Sequence, residues 1–414
     1  EAFRSESAQR SRLKRFLLGT CQAFVAISIR SIRQARKAGQ VSRTDQVAAP
    51  LRNLMRARLR TTLARLLMTH RDGSLFATAA TLLCLGMIAL LSWGGRAQQD
   101  ALVVYCSHDS TYSEEILRDF ERESGIRVVV RFDTEATKSI GLINLLIAER
   151  DSPQCDVFWN NEVLGTMKLQ KLGMLQPYKG KGYERIPARY KADDGSWVGF
   201  AARLRVFIVN TENMVATRQE IYRRLNASGG NALARVAMAK PMFGTTLTQY
   251  TASWSDYGGE GVKRRHRRQR DRGLLEVNGN SVVKDLVASG RCDFGWTDTD
   301  DFFLAVDEDK PVDMVPVLMR CERAICIPNS VSIIRGTRRL GAAQRLVDFL
   351  LSTDVETQLA CSPSRQIPLG PIDLESLPGE VRKLKSWSER SVDLRSLADA
   401  HTDCLEWLQS EYLQ

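Results

Sequence analysis

Between Gly290 and Phe303 the chain reads GRCDFGWTDTDDFF, and its apolar run, Phe294, Gly295 and Trp296, breaks into Thr297, Asp298, Thr299, Asp300 and Asp301. Hydroxyls and carboxylates at the end of a buried strand can hold a cation or accept from a ligand's hydroxyls and amines. The carboxyl ends of strands are where open α/β sheets bind. The same residues can also form an exposed acidic turn that caps the next helix, because Asp and Thr are good N-caps. Other segments that end alike favour the site: ALVVYC runs into Ser107, His108 and Asp109, IRVVVRF into Asp133 to Lys138 with Thr137 among them, and DVFW into Asn160, Asn161 and Glu162.

Strands and helices must carry these breaks. Ala101 to Tyr105 reads as a strand, and the helix after it, about Ser113 to Ser124, places Ile116, Leu117 and Phe120 on one face before Gly125 ends it. Ile126 to Phe132 and Asp156 to Trp159 are further strands, followed by helices over 141–150 and up to Leu172. Strand, polar loop and helix repeat three times, which predicts an α/β fold with a parallel sheet and its polar loops at one edge.

The chain has 414 residues and a net charge of +11, but residues 1–74 hold 16 Lys and Arg against 4 Asp and Glu, so the remainder carries a net −1. That asymmetry argues against nucleic-acid binding by the main body. Leu75 to Trp93 is 19 residues without a charge, long enough to span a bilayer, and Gly95 and Ala97 supply small residues for cleavage after Ala97. Residues 75–97 are therefore expected to be a signal peptide or membrane anchor. The basic arm 1–74 is expected on the cytoplasmic side and the rest exported. Met68 could begin an ordinary export signal, so residues 1–67 are expected to be an upstream extension or a cytoplasmic arm. Seven cysteines follow the segment without a C-x-x-C, which argues against zinc; Cys321 and Cys326 can pair across a short loop or remain separate buried thiols.

The order YCSHDSTYSEEILRDFERESGIRV, DTEATKSIGLINLLIAERDSPQCDVFWNNE, WVGFAARLRVFIVNT, KPMFGTT, NGNSVVKDLVASGRCDFGWTDTDD, CIPNSVSIIRG and SPSRQIPLG resembles the iron-type solute-binding proteins of bacterial ABC importers, a branch of the type II periplasmic binding proteins. The resemblance runs from Ala101 to about Gly370. It implies two α/β lobes, 101–200 with 325–414 and 211–312, joined by two hinge-crossing strands near Phe200–Asn210 and Val312–Ile327. It also implies a monomer that closes over a small-molecule or metal solute and delivers it to an ABC permease from the periplasm. One stretch departs from the pattern. Between Trp254 and Leu274 the sequence SDYGGEGVKRRHRRQRDRG carries Lys263, Arg264, Arg265, Arg267, Arg268, Arg270 and Arg272, and reads as a solvated insert or a surface for anions.

If the loops meet as that fold implies, the cleft gathers Ser107, His108, Asp109, Thr137, Lys138, Asn160, Asn161, Glu162, Arg203, Arg205, Gly244, Thr245, Thr246, Asn280, Ser281, Thr297, Asp298, Asp300 and Asp301. Two chemistries compete for it. Ferric members of the family hold the metal on a His, a Glu and two adjacent Tyr. Here His108 stands at the histidine position, Glu162 near the carboxylate, and Asp300 and Asp301 align with the tyrosines, while the chain contains no adjacent Tyr pair. The other chemistry is an oxyanion held by hydroxyls, by a helix N-terminus at Thr245 and Thr246, and by Arg203, with Asp298, Asp300 and Asp301 accepting from sugar hydroxyls or an amine. A phosphorylated or phosphonate-like anion is the expected solute, with ferric iron as the alternative cargo and no cofactor required. An enzyme is not expected, since G-x-S-x-G, H-E-x-x-H and Walker motifs are absent from the sequence. An uncleaved Leu75–Trp93 would suit a membrane-tethered ligand-sensing ectodomain instead.

Overall fold

The structure, a computed structural model, describes residues 101–133 and 140–412. The basic arm, the 75–97 segment and Thr137 lie outside the described residues. Among the described residues no helix is long and apolar enough to cross a membrane.

Aliphatic runs bounded by polar breaks form the first three strands: β1 (Leu102–Cys106), β2 (Val128–Phe132) and β3 (Val157–Asn160). β1 pairs in parallel with β2 on one side and β3 on the other. Parallel pairing requires crossovers, and these are α1 (Ser110–Ser124) and α2 (Ile140–Ala148), with α3 (Leu164–Lys171) following β3. α1 starts three residues earlier than its apolar period predicts, at Ser110. It buries Ile116, Leu117 and Phe120 and ends at Gly125 with φ 69°, a left-handed cap.

β4 (Leu175–Gln176) and α4 (Lys181–Arg185) lead into β5 (Val198–Asn210), whose 13 residues are all buried. Beyond it come α5 (Arg218–Asn226), β6 (Val236–Ala239), α6 (Gly244–Tyr257), α7 (Gly259–Asp271), β7 (Leu275–Val277), α8 (Asn280–Ala288), β8 (Phe294–Asp298) and α9 (Thr299–Asp307). β9 (Val312–Pro316), β10 (Cys326–Ile334), α10 (Leu340–Leu350), α11 (Thr353–Cys361), α12 (Gly379–Glu389) and α13 (Ala398–Tyr412) complete the described chain. The first part of β5 pairs with β10, from Val198 opposite Val331 to Leu204 opposite Cys326, and the second part pairs with β8 and β9. β5 thus joins both halves of a mixed sheet of order β2-β1-β3-β10-β5-β8-β6-β7. A second crossing runs back through β9, an irregular stretch and β10.

Two expectations meet a different structure. The basic insert is a helix, α7, because Val262 and His266, four residues apart, share one buried face. His266 Nδ1 lies 2.9 Å from the Tyr250 hydroxyl, and its ring packs at 5.4 Å from Trp407 of α13. Lys263, Arg267 and Arg270 pair with Glu260, Glu411 and Glu276 on the outside. Charge count alone hid this two-residue apolar seam. The other concerns the thiols: Cys321 and Cys326 are separate, as one of the two alternatives has it, but only Cys326, in β10, is buried, while Cys321 is exposed. The last helix, α13, bridges the two halves, packing on α3 and on α6, where Trp254 and Trp407 meet at 5.6 Å.

Burial holds both His266 and His401 neutral, with pKa values lowered from 6.5 to about 4. The unfolded chain therefore takes up protons near pH 6.5 that the folded chain refuses. The stability this contributes is full above that pH and is lost as pH falls towards 4. Unfolding midpoints in urea at pH 7.0 and 4.5 should show that loss, and the His266→Gln/His401→Gln variant should show a flatter dependence between the same two pH values.

Candidate functional site

Side chains from both halves of the sheet line a cleft of about 510 Å³. Ser107, His108, Asp109, Asn161, Arg203, Gly244, Thr245, Thr246, Asn280, Ser281, Asp298, Asp300 and Asp301 all face it. Four described sequence candidates do not: Glu162, Thr297, Asn160 and Arg205. Glu162 turns back onto its own helix, where its carboxylate accepts from the Leu164 and Gly165 amides at 2.6 and 2.9 Å and from Asn160 Nδ2. Burial raises its pKa, and the three donors oppose that shift. Thr297 is buried behind the wall and donates to Asp301 Oδ2 at 2.7 Å. Asn160 is likewise buried, with its amide on Glu162 and Thr166.

Three helices open onto this cleft at their N-termini. The boundary residues are Asp109 for α1, Phe243 for α6 and Gly279 for α8, and none of them caps its helix with a side-chain hydrogen bond. The first turn of a helix leaves amide donors without intrahelical partners, and the macrodipole makes that end positive. Uncapped first turns along one cleft therefore present N–H groups to an anion. Gly244, the first residue of α6, has φ +55°, a backbone region that favours glycine, and a Cβ there would meet nothing within 4 Å. Backbone conformation, rather than crowding, calls for glycine.

Behind this wall lies a buried ion pair. Arg205, with no solvent exposure, donates through Nη1 to Asp298 Oδ1 at 2.8 Å and through Nε to Gln249 Oε1 at 3.0 Å. Asp298 Oδ2 accepts from Thr245 Oγ1 at 2.6 Å and from Asn280 Nδ2 at 2.9 Å. Arg205 and Asp298 are thus committed to each other and to the first turns of α6 and α8. Arg203 is not. Its Nη2 donates to the Asn161 carbonyl, its Nε stands at 3.6 Å from Asp300 and 3.8 Å from Asp298, and its Nη1 is buried without a hydrogen-bond partner among the described residues.

Asp300 is held differently from Asp298. Burial raises its carboxyl to about 6, with Asp298 and Asp109 adding to the rise and Arg203 opposing it. Oxygens of Asp298, Asp300 and Asp301 all lie within 4.8 Å of one another, the spacing of a metal-ligand set. Nevertheless, Asp298 is taken up by Arg205, Thr245 and Asn280. His108 is similarly engaged: Gln366 Nε2 lies 2.6 Å from its Nε2, and its Nδ1 lies 3.3 Å from the Asp109 carbonyl. Asn329 Nδ2 donates to Gln366 Oε1 at 2.7 Å, which orients the Gln366 amide to donate. His108 Nε2 is then placed to accept from that amide. Its face packs at 5.3 Å from Trp159.

Sequence reasoning passed over several lining residues, among them Tyr112, Lys240, Phe243, Asn278 and Gly279. Lys240 had a signal, since it ends β6 as the other polar breaks end their strands. Tyr112 lies in the first turn of α1 and lines the cleft through helical geometry that a strand-end rule does not reach. Its hydroxyl is pushed up to about 12 by burial and by Asp300 and Asp109, which keeps it protonated.

No protein-family model matches the chain. A curated relative, an Fe(3+)-binding periplasmic protein of Serratia marcescens, is 24% identical over 123 residues, 29% of this chain and 35% of that protein. The match thus spans about a third of the relative's length. Among solved structures, iron-bound HitA from Pseudomonas aeruginosa superposes with a TM-score of 0.60 at 16% identity, covering 73% of this chain and 99% of that one. The ferric binding protein from Campylobacter jejuni gives 0.64 at 17%, covering 75% and 98%. The periplasmic binding protein AfuA from Actinobacillus pleuropneumoniae, with fructose-6-phosphate bound, gives 0.57 at 18%, again covering 75% and 98%. At these identities the likeness establishes the fold: the chain has the fold of periplasmic solute-binding proteins.

The two carboxylates should respond oppositely to neutralisation. Asp298→Asn strips a fully buried guanidinium of its counter-charge and should cost about 3–5 kcal/mol. Asp300 is ionised at pH 7 against its raised pKa, a cost relieved as pH falls from about 6 towards 3.8. Asp300→Asn should therefore be neutral or stabilising at pH 7, and urea unfolding of both variants checks the contrast.

Proposed function

We propose that this chain is an extracytoplasmic solute-binding protein that captures a phosphorylated or phosphonate-like anion in the cleft and delivers it to an ABC-type permease. The observation that carries the solute class is Arg203. Its buried Nη1 lacks a partner among the described residues, in a wall onto which three uncapped helix N-termini open. Burying a guanidinium donor unpaired is costly, and an oxyanion would supply the missing acceptor. Asp109, Asp300 and Asp301 are then placed to accept from hydroxyls on the ligand's body. The residue set proposed for the site is the group of sequence candidates that lines the cleft, joined by Lys240.

The lobes are taken as 101–200 with the return from 325, and 211–312. β5 and the β9–β10 passage between them form the hinge. Solute docks on one lobe and the other closes over it, so affinity comes from contacts present only in the closed form. Residues 75–97 would export the chain, as a cleaved leader or as an anchor, and the solute-loaded monomer would meet its permease outside the cytoplasm. Binding and release require no chemical step.

A second reading, ferric iron as cargo, draws on the iron-binding proteins of Serratia, Pseudomonas and Campylobacter and on the clustered Asp298, Asp300 and Asp301 oxygens. Against it stand the commitments of Asp298, Glu162 and both ring nitrogens of His108 within the protein, and a Tyr112 hydroxyl that holds its proton. A trivalent cation would have to break several of these bonds.

Fructose 6-phosphate, the ligand named for the AfuA structure, is a suitable probe. In calorimetry it should bind the wild-type chain at one site, and Arg203→Ala should lose about 2–5 kcal/mol of that affinity. Binding unchanged within error would remove Arg203 from the site.

A further inference from the structure

A second cavity, of about 500 Å³, lies on the far half of the sheet under α7, and shares no residue with the cleft. Its floor is apolar and aromatic, with Phe207, Met238, Trp296 and Val317 contributed by or next to the sheet. Its rim carries Arg264, Arg265, Arg268 and Arg272, and no Asp or Glu lines it. The volume falls within the range of small-molecule pockets.

α7 divides its cations between two faces. On the outer face Lys263 pairs with Glu260, Arg267 with Glu411, and Arg270 with Glu276. On the cavity face Arg264, Arg265 and Arg268 make no ion pair among the described residues; Arg265 rests over the Tyr257 ring at 4.9 Å. Arg272 is 8% exposed, donates through Nη1 to the Leu225 carbonyl at 2.7 Å and through Nη2 to the Ala227 carbonyl, and keeps a buried Nε without a partner. Four guanidinium groups around one hollow repel one another, and here no carboxylate of the wall offsets that repulsion. An anion would.

We propose that this cavity is a second binding site, for a small anion with an aromatic or otherwise apolar body, such as an aromatic carboxylate, sulfonate or phosphate ester. The charged group meets the unpaired arginines, which stack and donate in planar geometry. The apolar body covers Phe207, Met238 and Trp296, which an inorganic anion would leave wet.

The test is a fluorescence titration of the full chain with 8-anilinonaphthalene-1-sulfonate, an aromatic sulfonate. One saturable site with blue-shifted emission is expected. The exposed pair Arg264→Gln/Arg268→Gln should weaken it about tenfold or more through lost charge-assisted bonds. Lys263→Gln/Arg267→Gln removes the same charge from the same helix on its paired face and should stay within about twofold. The uncharged N-phenyl-1-naphthylamine should bind at least about tenfold more weakly than the sulfonate. Equal losses in the two double variants, equal affinity for the uncharged dye, or the lack of a saturable site would each overturn the proposal.

Discussion

A guanidinium with no access to water needs its counter-charge inside the protein, and Arg205 finds it in Asp298. The pair joins the crossing strand β5 to the end of β8, in register opposite each other across the sheet. The remaining acceptor capacity of Asp298 is spent on Thr245 and Asn280, which begin α6 and α8. One ion pair thus sets the position of two helix N-termini, and those N-termini make up much of the cleft wall. Because Asp298 is saturated, the neighbouring Arg203 stays 3.8 Å from it, and the buried Arg203 Nη1 is left without a hydrogen-bond partner among the described residues.

Much of the architecture was legible in the residues. β1, β3 and β8 are short apolar runs ended by hydroxyls, amides and carboxylates, and such breaks are readable because buried strands tolerate few polar groups. What the pattern left open was the direction in which each polar side chain turns. Glu162 follows β3 in the same manner as Asn161, yet two backbone amides at the start of α3 draw its carboxylate away from the cleft. Thr297 alternates to the hidden side of β8 while Asp298 meets Arg205. Two residues of opposite fate can therefore be adjacent in sequence, and only the hydrogen-bond network separates them. His108 shows the same limit, since its commitment depends on Gln366 and Asn329, far away in the chain.

The basic stretch before Leu274 was the least legible part. Its charge density suggests a solvated segment, but helix formation needs only a narrow apolar seam when another element supplies the packing surface. Val262 and His266 provide that seam, and α13 brings Trp407 and Tyr412 to meet His266. Once α7 is helical, its arginines sort by angle into a face neutralised by glutamates and a face over an apolar hollow. The same composition that looked uniformly cationic in sequence becomes two surfaces of different chemistry.

The central claim is that the cleft holds an oxyanion, with Arg203 as its principal cation. Native mass spectrometry of the full chain, purified without chelators and combined with metal analysis of the same sample, tests it most directly. The account predicts a co-purified phosphorylated or phosphonate-like molecule in stoichiometric amount and no iron. Stoichiometric ferric iron without such a molecule would contradict it, and would require Asp298, Asp300 and Asp301 to give up their partners for the metal.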